Sequence, residues 1–449
     1  MLTQIISHQI RRATGLALAA VVLILPVPGM SADKTLDEHG AAIPEVQLQA
    51  LEQLQKDTNP YDTTIPGVAS EYYNALVPEG NEATPERVEL GKKLYFDKRL
   101  SRDGTVACAS CHDTTKAFAD ARPTSEGVDR LEDDKVIKQF GTKNSPTTMN
   151  IALYHTMFWD GRSPSIEHQA MQPIINPIEM GMPMDENTII AGIKDDPVYK
   201  EMFQKAYGRD VNYKDVGNAL AVFERTFVFM DSPFFRFLKG DDNAISDDAK
   251  AGWILFNREG RCNSCHQISP TNPLGTDNKF HNIGVSALHQ DFTSLAQQAL
   301  HALATDSSEA KLDELALSSG MGELGRFLVT KNSTDMGAFR TPMILNVGIT
   351  GPYMHDGSFN TLWDVIDHYN KGGEPNLYLD GGIEPLNLTD RQVDQLVEFL
   401  FSLTDVRFAD ANQNQYKLQK AQAAQSRPHK DDAKSSRSVL LFEKKGEAK

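Results

Sequence analysis

The sequence predicts a mostly α-helical protein built from two similar halves, and three observations carry the prediction. All four cysteines fall in two copies of one pattern, Cys108-Ala109-Ser110-Cys111-His112 and Cys262-Asn263-Ser264-Cys265-His266. The stretch ahead of each copy repeats as well, Gly91-Lys92-Lys93-Leu94-Tyr95-Phe96 returning as Gly252-Trp253-Ile254-Leu255-Phe256, which marks a duplicated unit. Helical signals bracket the pair. Thr84 and Pro85 fit an N-cap and first turn, with Val88, Gly91, Leu94 and Tyr95 on one face, and Thr389-Asp390-Arg391-Gln392 is a capping box ahead of Val393, Leu396, Val397, Leu400 and Leu403.

The cysteine pattern is C-x-x-C-H, which attaches c-type haem. Its two thiols form thioethers, and the adjacent imidazole binds the iron from the proximal side. Cys108, Cys111 and His112 therefore hold one covalent haem c, and Cys262, Cys265 and His266 hold a second. A thioredoxin-like or half-zinc reading would not require His after the second cysteine in both copies.

At 449 residues with 40% hydrophobic and 24% charged composition, the chain is long enough for two or three domains with real cores. Its formal net charge of −16 is concentrated in the body, because the first 32 residues and the tail after 409 are basic. An acidic body disfavours nucleic acid as a partner and attracts basic proteins, such as a small electron-carrying cytochrome. His8, Arg11 and Arg12, then an apolar run over 13–25, then small and turn-forming residues to Ala32 read as a cleavable secretory signal over 1–32, with an uncleaved anchor as the other reading. Either places the haems outside the cytoplasm, in the periplasm.

In order, 33–80 reads as an extended lead-in and 81–240 as the N-terminal haem domain. A polar break at Lys239-Gly240-Asp241-Asp242-Asn243 precedes the C-terminal haem domain at 241–409. Within the latter, 286–320 reads as an insertion of one or two helices with no recognisable chemistry. Residues 410–449 read as a polar, basic, disordered tail.

Between and after the haem motifs stand Phe158-Trp159-Asp160-Gly161-Arg162, Gln169, Asn176-Pro177-Ile178-Glu179-Met180-Gly181, Phe339-Arg340-Thr341-Pro342 and Gly351-Pro352-Tyr353-Met354-His355-Asp356-Gly357. With these landmarks the chain resembles the bacterial di-haem cytochrome c peroxidases and their MauG-like relatives over roughly 81–404. The resemblance implies two cytochrome c-like haem domains packed together. It makes Glu179 the acid/base for peroxide, Gln169 its polar partner and Trp159 the electron relay between the haems. It also implies a calcium site from Asn144 and the carbonyls of Thr350 and Pro352, a ligand type that suits this hard cation.

Two departures stand out. Where reductively activated peroxidases carry a distal histidine, this chain has Val128, which cannot ligate iron, so the first haem should be open to peroxide; His155 and His168 are isolated stand-ins. Where typical members place a methionine ligand to the second iron, this chain has Tyr369, as MauG-like proteins do, a hard donor that favours ferric and higher states. Met336, Met343, Met354 and His368 are the other candidates.

The reading is thus a periplasmic di-haem c-type peroxidase that uses hydrogen peroxide and takes electrons from a small c-type cytochrome or other donor protein. The alternatives are MauG-like oxidation of Trp or Tyr side chains on a partner protein through a high-valent di-haem state, and a di-haem electron carrier without enzymatic activity.

Overall fold

The computed structural model describes residues 45–59, 65–288 and 291–427. Helices dominate, and strands are confined to two short antiparallel pairs, Arg130–Glu132 with Lys135–Ile137 and Phe280–His281 with Phe339–Arg340. The described residues belong to one compact unit but bury three apolar cores.

The sequence repeat has a physical basis in two equivalent helix crossings. Helix Pro85–Tyr95, capped by Thr84 with Pro85 in its first turn, crosses helix Tyr213–Glu224. A Cβ on Gly91 would lie 2.0 Å from the carbonyl oxygen of Ala219, so only glycine lets the two backbones meet. In the other half, helix Asp247–Asn257 crosses helix Asp390–Phe401, and a Cβ on Gly252 would lie 1.9 Å from the carbonyl oxygen of Gln395. One turn beyond each glycine an aromatic ring seals the crossing, Tyr95 on Phe223 and Phe256 on Phe399. The first crossing centres one core and the second another, and each leads directly into a C-x-x-C-H segment.

The third core belongs to the insertion. Helices Phe292–Thr305 and Glu309–Leu317 bury Phe292, Ala296, Ala299, Leu303 and Leu315 against Leu324, Phe327 and Met336.

Two expectations are corrected. The lead-in is not extended where it is described. Helix Glu45–Gln55 buries Leu51 in the first core, and Ser70–Ala75 buries Tyr73 in the second. Gln47 ties the first of these to the haem motif, donating to the Ala109 carbonyl at 3.2 Å and accepting from the Thr114 hydroxyl at 2.6 Å through its own carbonyl.

The tail is also ordered as far as it is described, forming helix Ala409–Ser426. It sets the Tyr416 ring against Trp363 and Phe401 and buries Ala423 in the second core, and a buried amide adds polar ties. Gln419, 2% exposed, donates to the Gly348 carbonyl at 3.1 Å and the Tyr353 hydroxyl at 2.9 Å and accepts from Leu362 N at 2.9 Å. With so few apolar residues the helix shows no apolar stripe, so its composition reads as disorder. The signal segment and 428–449 lie outside the described residues, and among the described residues no helix is long and apolar enough to cross a membrane.

Candidate active site

Each C-x-x-C-H segment opens onto its own cavity. Cys108, Cys111 and His112 line the first, and Cys262, Cys265 and His266 the second. Both imidazoles are anchored through Nδ1 to a backbone carbonyl, His112 on Phe118 at 3.3 Å and His266 on Gly275 at 2.9 Å. Neither Nε2 makes a hydrogen bond among the described residues, and burial holds both rings below the usual histidine pKa. A neutral imidazole fixed at Nδ1 and free at Nε2 is the form that binds iron. Burial pushes the Cys111 and Cys262 thiols up to about 12. Two thiols, one oriented imidazole and a largely apolar wall fit one haem in each cavity.

The first cavity adds a carboxylate and an amide. Gln169 projects from helix Ile166–Ile175, whose N-cap Ser165 accepts from His168 N. The chain then doubles back: Asn176 Oδ1 accepts from Ile178 N at 2.9 Å, Met180 N donates to the Pro173 carbonyl at 3.2 Å, and Gly181, at φ +69°, donates to the Asn176 carbonyl at 2.8 Å. The segment Gly127-Val128 grips this loop. Val128 N donates to the Glu179 carbonyl at 2.9 Å, and a Cβ on Gly127 would sit 1.8 Å from the Ile178 oxygen. Clamped from both sides, the half-buried Glu179 lines the cavity together with Gln169 and His112. Burial raises its carboxyl pKa against the pull of the nearby Arg162 guanidinium, and Asp313 adds to the rise.

Among the described residues lining this cavity, His112 is the only histidine. Val128 is fully buried in the first core, outside the lining. His155 packs 5.5 Å from the Tyr72 ring, and His168 is held by Ser163 Oγ at 2.9 Å and Glu309 at 2.6 Å, so both stand-ins are elsewhere.

In the second cavity, Tyr369 and Met354 both form part of the wall. Met336 belongs to the insertion core, Met343 to the second core, and His368 is tied through Nε2 to the Ile283 carbonyl at 2.8 Å, so these three candidates do not line it. The Tyr369 hydroxyl makes no hydrogen bond among the described residues, and burial, with the neighbouring Cys262 and Cys265 sulfurs, raises its pKa. His355 also lines this cavity, stacked on Phe339 at 3.8 Å and bonded through Nε2 to Glu323 at 2.8 Å. Glu323 also pairs with Lys143 at 2.6 Å, and the two partners together hold its carboxyl at about 2 against the opposing effect of burial.

Trp159, Phe339 and Arg340 line both cavities. Trp159 Nε1 donates to the Asn144 carbonyl at 2.9 Å, and Asn144 N donates to the His355 carbonyl at 2.8 Å. The Asn144 amide nitrogen donates to the Pro123 and Arg122 carbonyls at 3.1 and 3.3 Å. Among the described residues no hydrogen bond reaches Asn144 Oδ1 or the carbonyl oxygens of Thr350 and Pro352.

Sequence reasoning missed several members of the site. Arg340 stood in a recognised landmark without a role; it donates to the Phe158 carbonyl at 3.2 Å and lies 3.5 Å from the Tyr154 ring centroid. Glu224 lines the first cavity with Oε2 unpartnered and its carboxyl pushed up to about 8 by burial; an acid directly after the apolar run Ala219–Phe223 was the signal. Ala316 and Leu317 of the insertion also line the first cavity, and nothing in the local sequence pointed to them.

Comparison with known proteins bears on this arrangement. The family model described as di-haem cytochrome c peroxidase matches residues 85–243. The methylamine utilization protein MauG of Methylorubrum extorquens is 34% identical over 329 residues, covering 73% of this chain and 80% of that protein. Cytochrome-c peroxidase IdrP2 of Denitromonas iodatirespirans is 32% identical, covering 73% and 84%. Among solved structures, a MauG-like protein associated with microbial copper homeostasis superposes with a TM-score of 0.60 at 27% identity, covering 79% of this chain and 98% of that one. The diheme peroxidase BthA from Burkholderia thailandensis shares the fold, with a TM-score of 0.57 at 22% identity, covering 73% and 88%.

Proposed function

The chain belongs to the bacterial di-haem cytochrome c peroxidase and MauG family, and from that premise we propose a periplasmic di-haem c-type enzyme in which Glu179 manages the protons of peroxide cleavage and a partner protein supplies the electrons. Membership makes it a peroxide-using oxidoreductase with two haems. The observation that carries the finer reading is that Glu179, Gln169 and His112 line one cavity.

Cys108 and Cys111 would hold the first haem through thioethers and His112 would ligate its iron, which would supply the centre for peroxide chemistry. The remaining tasks fall to side chains. Glu179, as a carboxylate, accepts the proton from the near peroxide oxygen and returns it to the departing one, so that water leaves in place of hydroxide; such transfer contributes about 10² to 10⁴ in rate. Gln169 orients peroxide or water by its amide. Trp159, shared by both cavities, is the side chain through which oxidising equivalents pass between them. Cys262, Cys265, His266 and Tyr369 hold the second haem, and Asn144 with the Thr350 and Pro352 carbonyls holds calcium. The residues divide at about 240 into two cytochrome c-like domains, one for each haem.

One observation favours the MauG-like form, oxidation of a partner's Trp or Tyr side chains: Tyr369, whose hydroxyl makes no hydrogen bond among the described residues, lines the second cavity, while His112 is the only histidine among the described residues lining the first. Electron paramagnetic resonance of the resting ferric protein, repeated after one equivalent of peroxide without reductant, tests both forms. One high-spin and one low-spin haem, both signals lost on adding peroxide, is the expected result. Two low-spin haems that ignore peroxide until reduced would sink the open first haem, and with persistent silence toward peroxide would leave an electron carrier.

A further inference from the structure

Glu179 faces two cavities. Besides the haem cavity it lines an outer one, whose opposite wall is the insertion helix Glu309–Leu317 through Glu309, Ala310, Asp313, Glu314 and Leu317. Arg162 lines both cavities beside Glu179. Its guanidinium lies 3.7 Å from the Phe158 ring centroid, and two carboxylates hold it from different parts of the chain: Asp160 on Nη1 at 3.0 Å and Asp313 on Nε at 2.7 Å. Arg162 and Asp313 side chains are 12% and 19% exposed, so the pair is largely shielded from solvent.

The geometry points to Asp313 as a positioning residue of the peroxide site, fixing Arg162 beside Glu179 and balancing its charge so that Glu179 can exchange its proton in the working pH range. This inference rests on the assignment of Glu179 as acid/base. The insertion is then part of the catalytic wall. Glu309 reinforces the docking, accepting from Gln172 at 2.9 Å and pairing with His168 at 2.6 Å.

The charges around Glu179 define the expected sign. Arg162 lowers its pKa and Asp313 raises it. Asp160 acts through Arg162, Cys111 lies on the haem-motif side, Glu309 and Glu314 edge the outer cavity with His168 on Glu309, and Glu224 lines the haem cavity. A neutral residue at 313 leaves the Arg162 cation less balanced, so Glu179 deprotonates at lower pH. Because Glu179 must be a carboxylate to accept the peroxide proton, the acidic limb of the peroxide reaction moves down with it.

The experiment uses the full haem-loaded protein and the variants Asp313→Asn, Asp313→Glu and Glu179→Gln. Two readouts are followed against pH: the rate of spectral change on mixing with peroxide, and the infrared carbonyl band of protonated Glu179, identified by its absence in E179Q. D313N should move both the acidic limb and the band titration to lower pH and slow the reaction roughly tenfold through a misplaced Arg162. D313E, which keeps the charge one methylene further out, should restore the limb and most of the rate. Unmoved D313N profiles, or a D313E variant as impaired as D313N, overturn the role of Asp313. If E179Q itself reacts at the normal rate, the acid/base assignment falls and this inference with it, whereas a slow E179Q beside an unchanged D313N condemns Asp313 alone.

Discussion

The two halves of the molecule use the same frame for different environments. Gly91 and Gly252 close equivalent crossings, and His112 and His266 are anchored through the same nitrogen to backbone carbonyls. The walls facing the two frames differ. The first cavity receives an acid, an amide and an arginine, whereas the second receives a phenol, a thioether and a histidine bonded to Glu323. The lesson is that the repeat carries the C-x-x-C-H frame in each half, while helices and loops outside the repeat set what lines the cavity facing it.

The strongest test of that division is Glu179→Gln. We expect peroxide reactivity to fall by about 10² to 10⁴ with the low-spin spectrum of the second haem unaltered; equal disturbance of both haems would mean that the cavities are not separate in role.

Next is Glu323→Gln. It removes the anion shared by Lys143 and His355, a change that typically costs about 3–5 kcal/mol when a buried pair is broken, measured by chemical denaturation. The pH dependence has a definite sign. The folded pKa of about 2 lies below the unfolded glutamate value of about 4.3. This stabilisation is therefore present above the unfolded value and is lost as pH falls through the folded one. The parent should lose stability through that acid window and the variant should lose less.

Gly91→Ala and Gly252→Ala probe the shared frame. Each drives a Cβ into a backbone carbonyl, so each should cost about 1–3 kcal/mol or more and weaken haem retention in its own half. A large difference between the two would break the equivalence of the crossings.

The smallest change sought is the one that Tyr369→Phe makes at the first cavity. Loss of an anionic donor should raise the potential of the second haem, on the order of 0.1 V within the roughly 0.8 V span open to axial ligands, while cyanide affinity at the first haem stays within about twofold. Spectroelectrochemistry with cyanide titration reads both. An unchanged second potential would pass the ligand role to Met354, the other candidate in the cavity wall.

Legible in the sequence by itself were the helical class, both C-x-x-C-H segments and the repeated glycine stretches ahead of them, with Glu179 singled out by its place among the family landmarks. Those features are local: a cap, a period, a five-residue motif or an ordered set of landmarks can be read along the chain. Tertiary structure alone decided that Ala316 and Leu317 reach the first cavity and Asp313 the outer one beside Glu179, that Arg340 bridges both haem cavities, and that Gln419 helps dock a polar helix. Each of those contacts joins segments distant in the chain, Arg162 to Asp313 and Gln419 to Gly348 among them. Such pairings depend on how elements pack, and the local composition of an insertion or a glutamine-rich tail carries no trace of the surface it meets.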